Sequence, residues 1–196
     1  MNEVLNTIIH RRSVRRYKET QLGEAELNLI LEAGLYGPNS GGRQAPVFGV
    51  CQDAELNEEL GAINVEKMKE IMSQRPPMKP GEKQPPKKGN GPAPKSFFYG
   101  APTVVTIFAP KDWYNFTLDA AVCAQNMMLA ADSLGIGSCM IARAKEVFET
   151  ERGKEVMQMW GISDAYEAKV HVLLGYAADE IPEPGERLEG RIKIIK

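Results

Sequence analysis

The sequence predicts a single domain in which a sheet carries helices on both faces. Apolar stretches of helical period alternate along the chain with short β-branched runs, the pattern of a layered helix-and-sheet domain. One stretch, 116–134, is apolar almost all round, so it belongs in a core or a subunit interface. The 196 residues contain no internal repeat. A chain of that length buries about 70% of its unfolded surface, enough for a full core.

Composition narrows the function. Apolar residues make up 43% and charged residues 26%, with a formal net charge of −2. A near-neutral protein is not built for a polyanion, so no nucleic-acid partner is expected; a small phosphorylated ligand fits better. Cys51, Cys123 and Cys139 are far apart and form neither CxxC nor a metal-ligand spacing. They are expected as reduced core thiols, with no metal. No signal-like N-terminus and no apolar run of about 18 residues occurs, so no membrane partner is expected and the cytoplasm is the expected location.

The elements follow in order. A helix is predicted over 2–10, capped by Asn2, with Val4, Leu5, Ile8 and Ile9 as its stripe. A second, 22–35, turns Leu27, Ile30, Leu31 and Leu35 inward, with Glu24 and Glu26 favouring its N-terminal end. The segment Gly37-Pro38-Asn39-Ser40-Gly41-Gly42-Arg43-Gln44 reads as a loop into a short strand, 46–51. A third helix is predicted over 56–72, where Asn64 and Lys67, three apart, share a face.

Residues 75–95 differ in composition. Seven of the thirteen prolines and five lysines fall between Pro76 and Lys95, with almost no apolar residue. Such a stretch cannot bury enough surface to order itself as core, and is read as an excursion from the domain, a candidate cover over a site. A buried strand is predicted over 103–109 and the apolar helix over 116–134, with Asn115 or Thr117 as its cap, followed by a tight turn into a strand ending at Ile141. One helix is predicted over 144–160, then a strand over 169–176 with His171 as a core or sheet-face histidine. The last residues, Arg191 to Ile195, alternate charge and isoleucine as an edge strand would.

The stretch that suggests chemistry is His10-Arg11-Arg12-Ser13-Val14-Arg15-Arg16-Tyr17. Guanidinium forks match phosphate oxygens, and a serine hydroxyl adds one donor. In an extended backbone Arg11, Ser13 and Arg15 point to one side and Arg12 and Arg16 to the other. The competing reading is a solvated basic turn. No GxGxxG, Walker loop, HExxH or GxSxG occurs, and neither histidine sits where a hydrolytic triad would need a base.

Taken together, the pieces resemble the nitroreductase family of FMN-dependent oxidoreductases. Arg11 to Tyr17 resembles the family's R-x-S-x-R/K opening, and GPNSGGRQAP resembles its P-S-x-x-N-x-Q-P loop. Asn64-Val-Glu-Lys67 resembles an Asn-x-x-Lys pair. FFYGAPTVVTIFA, LDAAVCAQNMMLAADSLGIGSCMI and the C-terminal VLLGYA…R…GRIKII also match the family's layout. Each motif is weak alone; their shared order is specific. Asn39 and Gly42 depart from the residues many members carry, and Ala45-Pro46 replaces Pro-Trp after Gln44, which bears on substrate preference.

The resemblance implies an α+β, three-layer subunit with a mixed, mainly antiparallel central sheet. It implies a homodimer that exchanges its C-terminal strand, with FMN at the interface. Arg11, Arg12, Ser13 and Arg15 would take the phosphate and ribityl end, joined by Arg187 and Arg191. Pro38, Asn39 and Ser40 would contact the ring from the partner chain. Gln44, Asn64 and Lys67 would bond the ring and ribityl edge, and the backbone at Met140, Ile141 and Ala142 would face the ring near N5. The implied activity passes electrons from NADH or NADPH, through FMN, to a small acceptor such as a nitroaromatic, quinone or enone. A flavin cofactor carries such chemistry, so the lack of a catalytic side-chain constellation is expected. The alternatives are a flavin-binding module without turnover, or a relative doing reductive dehalogenation or flavin breakdown.

Overall fold

The computed structural model describes residues 1–74, 94–112 and 115–196. In chain order these form α1 (Glu3–His10), α2 (Glu24–Leu35), a 3-10 turn (Ser40–Gly42), β1 (Val47–Cys51), α3 (Ala54–Ser73), β2 (Thr103–Pro110), α4 (Asn115–Ser133), β3 (Gly137–Ile141), α5 (Ala144–Phe148), α6 (Glu151–Met159) and β4 (Tyr166–Gly175). The excursion read over 75–95 lies almost wholly outside the described residues.

The four strands stand in the order β1-β2-β4-β3, each pair antiparallel. One parallel bridge, Ser13 to Ser138, adds the N-terminal arginine stretch beside β3 and makes the pairing mixed. β2 is buried along nearly its whole length, as its unbroken β-branched run demands. Alternation sorts its side chains. Val105 and Ile107 join Val172 and Leu174 under α2 and α4. Val104 and Phe108 join Leu173 under α3, α5 and α6. A bulge between Ile107 and Phe108 re-phases β4, so that Ala168 and Leu173 pack on the same side despite their odd spacing. The result is three layers with two cores, the expected α+β arrangement.

The helices repeat their sequence logic with two corrections. α1 is capped as expected, the Leu5 N–H donating to Asn2 Oδ1 at 3.0 Å. Leu35, expected inward on α2, is 62% exposed; the helix ends there and its last residue has passed the sheet. The single helix expected over 144–160 is two. Thr150 breaks it, its hydroxyl donating to the Val147 carbonyl at 2.6 Å and accepting from the Gly153 N–H at 3.1 Å. Gly153 allows that fold-back, because a side chain there would strike the Val147 carbonyl. The C-terminal segment, expected as an edge strand, pairs with no strand among the described residues. Its isoleucines point to solvent, Ile192 at 83% exposure. β4 begins at Tyr166, three residues before the sequence reading.

Candidate functional site

The arginine stretch is fixed by its two non-basic members. Val14 is buried and its N–H donates to the Ser138 carbonyl at 2.9 Å. The Tyr17 hydroxyl turns back to donate to the Val14 carbonyl at 2.7 Å, and burial pushes its phenol well above the usual range. The Lys18 N–H donates to Tyr176 and the Ala178 N–H to Arg16, closing the stretch against the end of β4. Arg15 and Arg16 are left exposed on this anchored strip, and Arg11 and Arg12 are half-buried. Arg16 pairs with Asp179 at 3.0 Å.

Arg11, Ser13 and Arg15 gather around one point of β3. Burial raises the Cys139 thiol there, opposed by Arg15, a hydrogen bond from Ser13, and Arg11. Asp132, at the C-terminal end of α4, lies beside the same cluster: burial raises its carboxyl, and Arg11, His10 and Arg12 oppose it. Several polar atoms here are buried without a hydrogen-bond partner: Arg11 Nη1, Arg12 Nε and Ser138 Oγ. Buried donors left open cost free energy unless something completes them.

A second group is drawn from α3 and the C-terminal end of β3, joined through Phe97. Asn64 on α3 is 0% exposed, and neither its amide oxygen nor its nitrogen has a partner. Met140 and Ala142 are exposed, so this strand end presents its backbone. Lys67, half-buried one turn beyond Asn64, pairs with Glu70 at 2.9 Å. The link between the strand end and α3 is Phe97, whose N–H donates to the Gly61 carbonyl at 3.2 Å and whose ring lies 5.4 Å from the Arg143 guanidinium.

The loop Pro38 to Gln44 is elsewhere. It hangs on the N-terminal half of α4, where the 5%-exposed carboxylate of Asp119 accepts from the Ser40 N–H at 3.1 and 3.2 Å and from its hydroxyl at 3.2 Å. Asn39 Oδ1 accepts from the Gln44 N–H at 2.8 Å, holding the loop's exit. Gly37 sits on Cys123, whose backbone would be about 3.1 Å from any Cβ. Asp119 and Asp132 are thirteen residues apart on one helix, a rise of about 20 Å. Within one protomer, then, Pro38, Asn39, Ser40 and Gln44 stand well away from the arginine cluster. Arg187 and Arg191 lie on the exposed C-terminal segment and are not joined to it either.

The sequence reading omitted Asp119, Ser138 and Arg143. Asp119 carries a signal, a carboxylate in the first half of a helix that is apolar almost all round. Ser138 and Arg143 carry none, since only the strand pairing and the packing of Phe97 reveal them.

The site sits in a known fold. The family model described as the nitroreductase family matches residues 8–176, and the chain belongs to that family. A protein of Archaeoglobus fulgidus, named as a candidate NADH dehydrogenase/NAD(P)H nitroreductase, is 27% identical over 184 residues, covering 92% of this chain and 88% of that one. A nitroreductase from Bacteroides fragilis, solved with bound FMN, superposes with a TM-score of 0.80 at 29% identity over the whole of both chains. One from Desulfitobacterium hafniense, also with bound FMN, gives 0.79 at 25% identity over the whole of both.

Proposed function

We propose that this protein is an FMN-dependent oxidoreductase that passes electrons from NADH or NADPH to a small acceptor such as a nitroaromatic, a quinone or an enone. The observation that carries the reading is a set of buried polar atoms without a hydrogen-bond partner: Arg11 Nη1, Arg12 Nε and Ser138 Oγ beside β3, and the Asn64 amide on α3. That donor set fits FMN: cations for a phosphate, and an amide for the edge of a heteroaromatic ring. The FMN bound in the Bacteroides fragilis and Desulfitobacterium hafniense nitroreductases supports the same choice.

In this reading Arg11, Arg12, Ser13 and Arg15 hold the phosphate, with Arg187 and Arg191 brought to it from the C-terminal segment. Asn64, Lys67 and Gln44 bond the ring and ribityl edge, and the backbone at Met140, Ile141 and Ala142 orients the ring. FMN when bound supplies hydride chemistry at its N5, so the protein's task is to bind, orient and exclude water.

The protein works as a homodimer. Its support is the exposed apolar face of α1, the unpaired C-terminal segment, and the distance between the Pro38–Gln44 loop and the arginine cluster. A second copy gives the first two a surface to cover, and brings Pro38, Asn39 and Ser40 to the ring in trans. The three free, buried cysteines suit the cytoplasm.

The test is the visible spectrum of the purified protein before and after anaerobic NADH or NADPH. A flavin band that bleaches is expected, and the faster donor names the reductant. A band that persists would point to a binding module. No uptake of added FMN would overturn the reading. Arg11→Ala and Arg15→Ala are each expected to weaken FMN by ~1.5–3 kcal/mol in a fluorescence titration.

A further inference from the structure

We propose that Arg143 is an anion-recognising residue that selects a donor or acceptor bearing a carboxylate or phosphate; the inference rests on the flavin reading above. Arg143 closes β3 directly after Met140, Ile141 and Ala142, the residues assigned to the ring. Its φ is +66°, a left-handed conformation that glycine would adopt without penalty. The chain carries an arginine there instead. Tyr99, two residues beyond Phe97, is also left-handed at φ +54°, and its ring meets Phe97 edge-on at 6.3 Å. Among the described residues, two of the three non-glycine positions with positive φ therefore converge on one aromatic ring, and strain of this kind collects at functional sites.

The guanidinium is held but not neutralised. Among the described residues it lies over the face of Phe97, 5.4 Å from the ring centroid, a cation–π contact that fixes the group while leaving its charge available. Its Nε is buried and has no hydrogen-bond partner, and Arg143 forms no ion pair among the described residues. Lys67 on α3, by contrast, is paired with Glu70. A planar fork stacked on an aromatic ring, next to an exposed strand end, suits a carboxylate or phosphate presented edge-on.

The ligand's anion has two possible sources, an acceptor's carboxylate or a dinucleotide's extra phosphate. Both are read without turnover by titrating the FMN-loaded, oxidised protein and following the flavin difference spectrum. Benzoate against benzamide tests the carboxylate; NADP⁺ against NAD⁺ tests the phosphate. The parent protein is expected to prefer the more anionic member of one pair by about tenfold. Arg143→Gln should abolish that preference, and Arg143→Lys should keep part of it. Should Arg143→Gln fail to fold, Arg143→Gly, which suits the backbone, carries the same test. The inference is overturned if the parent shows no charge preference, if Arg143→Gln keeps it, or if both members of a pair weaken equally. If the parent takes up no FMN, the flavin reading fails and this inference falls with it.

Discussion

The sheet with its two cores and the outer arms of the chain obey opposite rules. In the centre, β2 and β4 are buried almost throughout, and Phe108 is fully enclosed, its ring edge-on to Phe148 at 4.9 Å and to Trp160 at 5.9 Å. In the arms, α1 buries none of its residues, with Ile8 48% exposed, and the C-terminal segment leaves Leu188, Ile192, Ile194 and Ile195 in solvent. A helix of eight residues is marginal on its own, even with the Asn2 cap. The contrast separates what makes the protomer fold from what it offers to a second surface.

The largest effect should come from the centre. Phe108→Ala removes an aromatic from a dry, interlocked position and is expected to cost ~3–5 kcal/mol in chemical denaturation. A loss below ~1 kcal/mol would mean that the α5–α6 side of the sheet is less tightly packed than its ring contacts indicate.

A subtler break in the core lies at His171. Its Nδ1 shares a 2.9 Å hydrogen bond with Thr106, its Nε2 has no partner, and Phe98 packs against it at 4.7 Å. Burial depresses its pKa from 6.5 to about 3. The folded state thus binds fewer protons than the unfolded chain in this range. The stabilising effect of the neutral ring is complete above about pH 6.5 and is lost progressively as pH falls toward about 3. Between about pH 7.5 and about pH 5 the parent should lose ~2 kcal/mol from this group. His171→Leu should remove that part of the pH dependence; an unchanged slope would assign the loss to other groups.

The smallest effect on the protomer should come from the arms. Ile192→Lys with Ile194→Lys is expected to change protomer stability by under ~0.5 kcal/mol. The same variant should shift sedimentation from dimer to monomer. A dimer that persists would mean that this segment is not what joins the copies.

Much of the molecule was legible in the sequence because its signals are local. The Asn2 cap, the β-branched run of β2 and the apolar girth of α4 each follow from a few adjacent residues. The two helices read as one over 144–160 show where this ends. The periodicity is continuous, and the break depends on Thr150 bonding to Val147 and on the space above Gly153. The candidate site divides in the same way. Its arginines stand together in sequence, so their clustering could be read directly. The burial of Asn64, the grip of Asp119 on Ser40 and the stacking of Arg143 on Phe97 join residues from distant segments.

By itself, then, the amino-acid order determined most of the elements, the two-sided core and the concentration of positive charge at residues 11–16, because propensity, period and charge act over a few residues. Only the tertiary structure decided which polar groups are buried and left open, and how far the Pro38–Gln44 loop lies from the arginines. Those properties depend on strand register and on which helix covers which face, and no short stretch of sequence contains them.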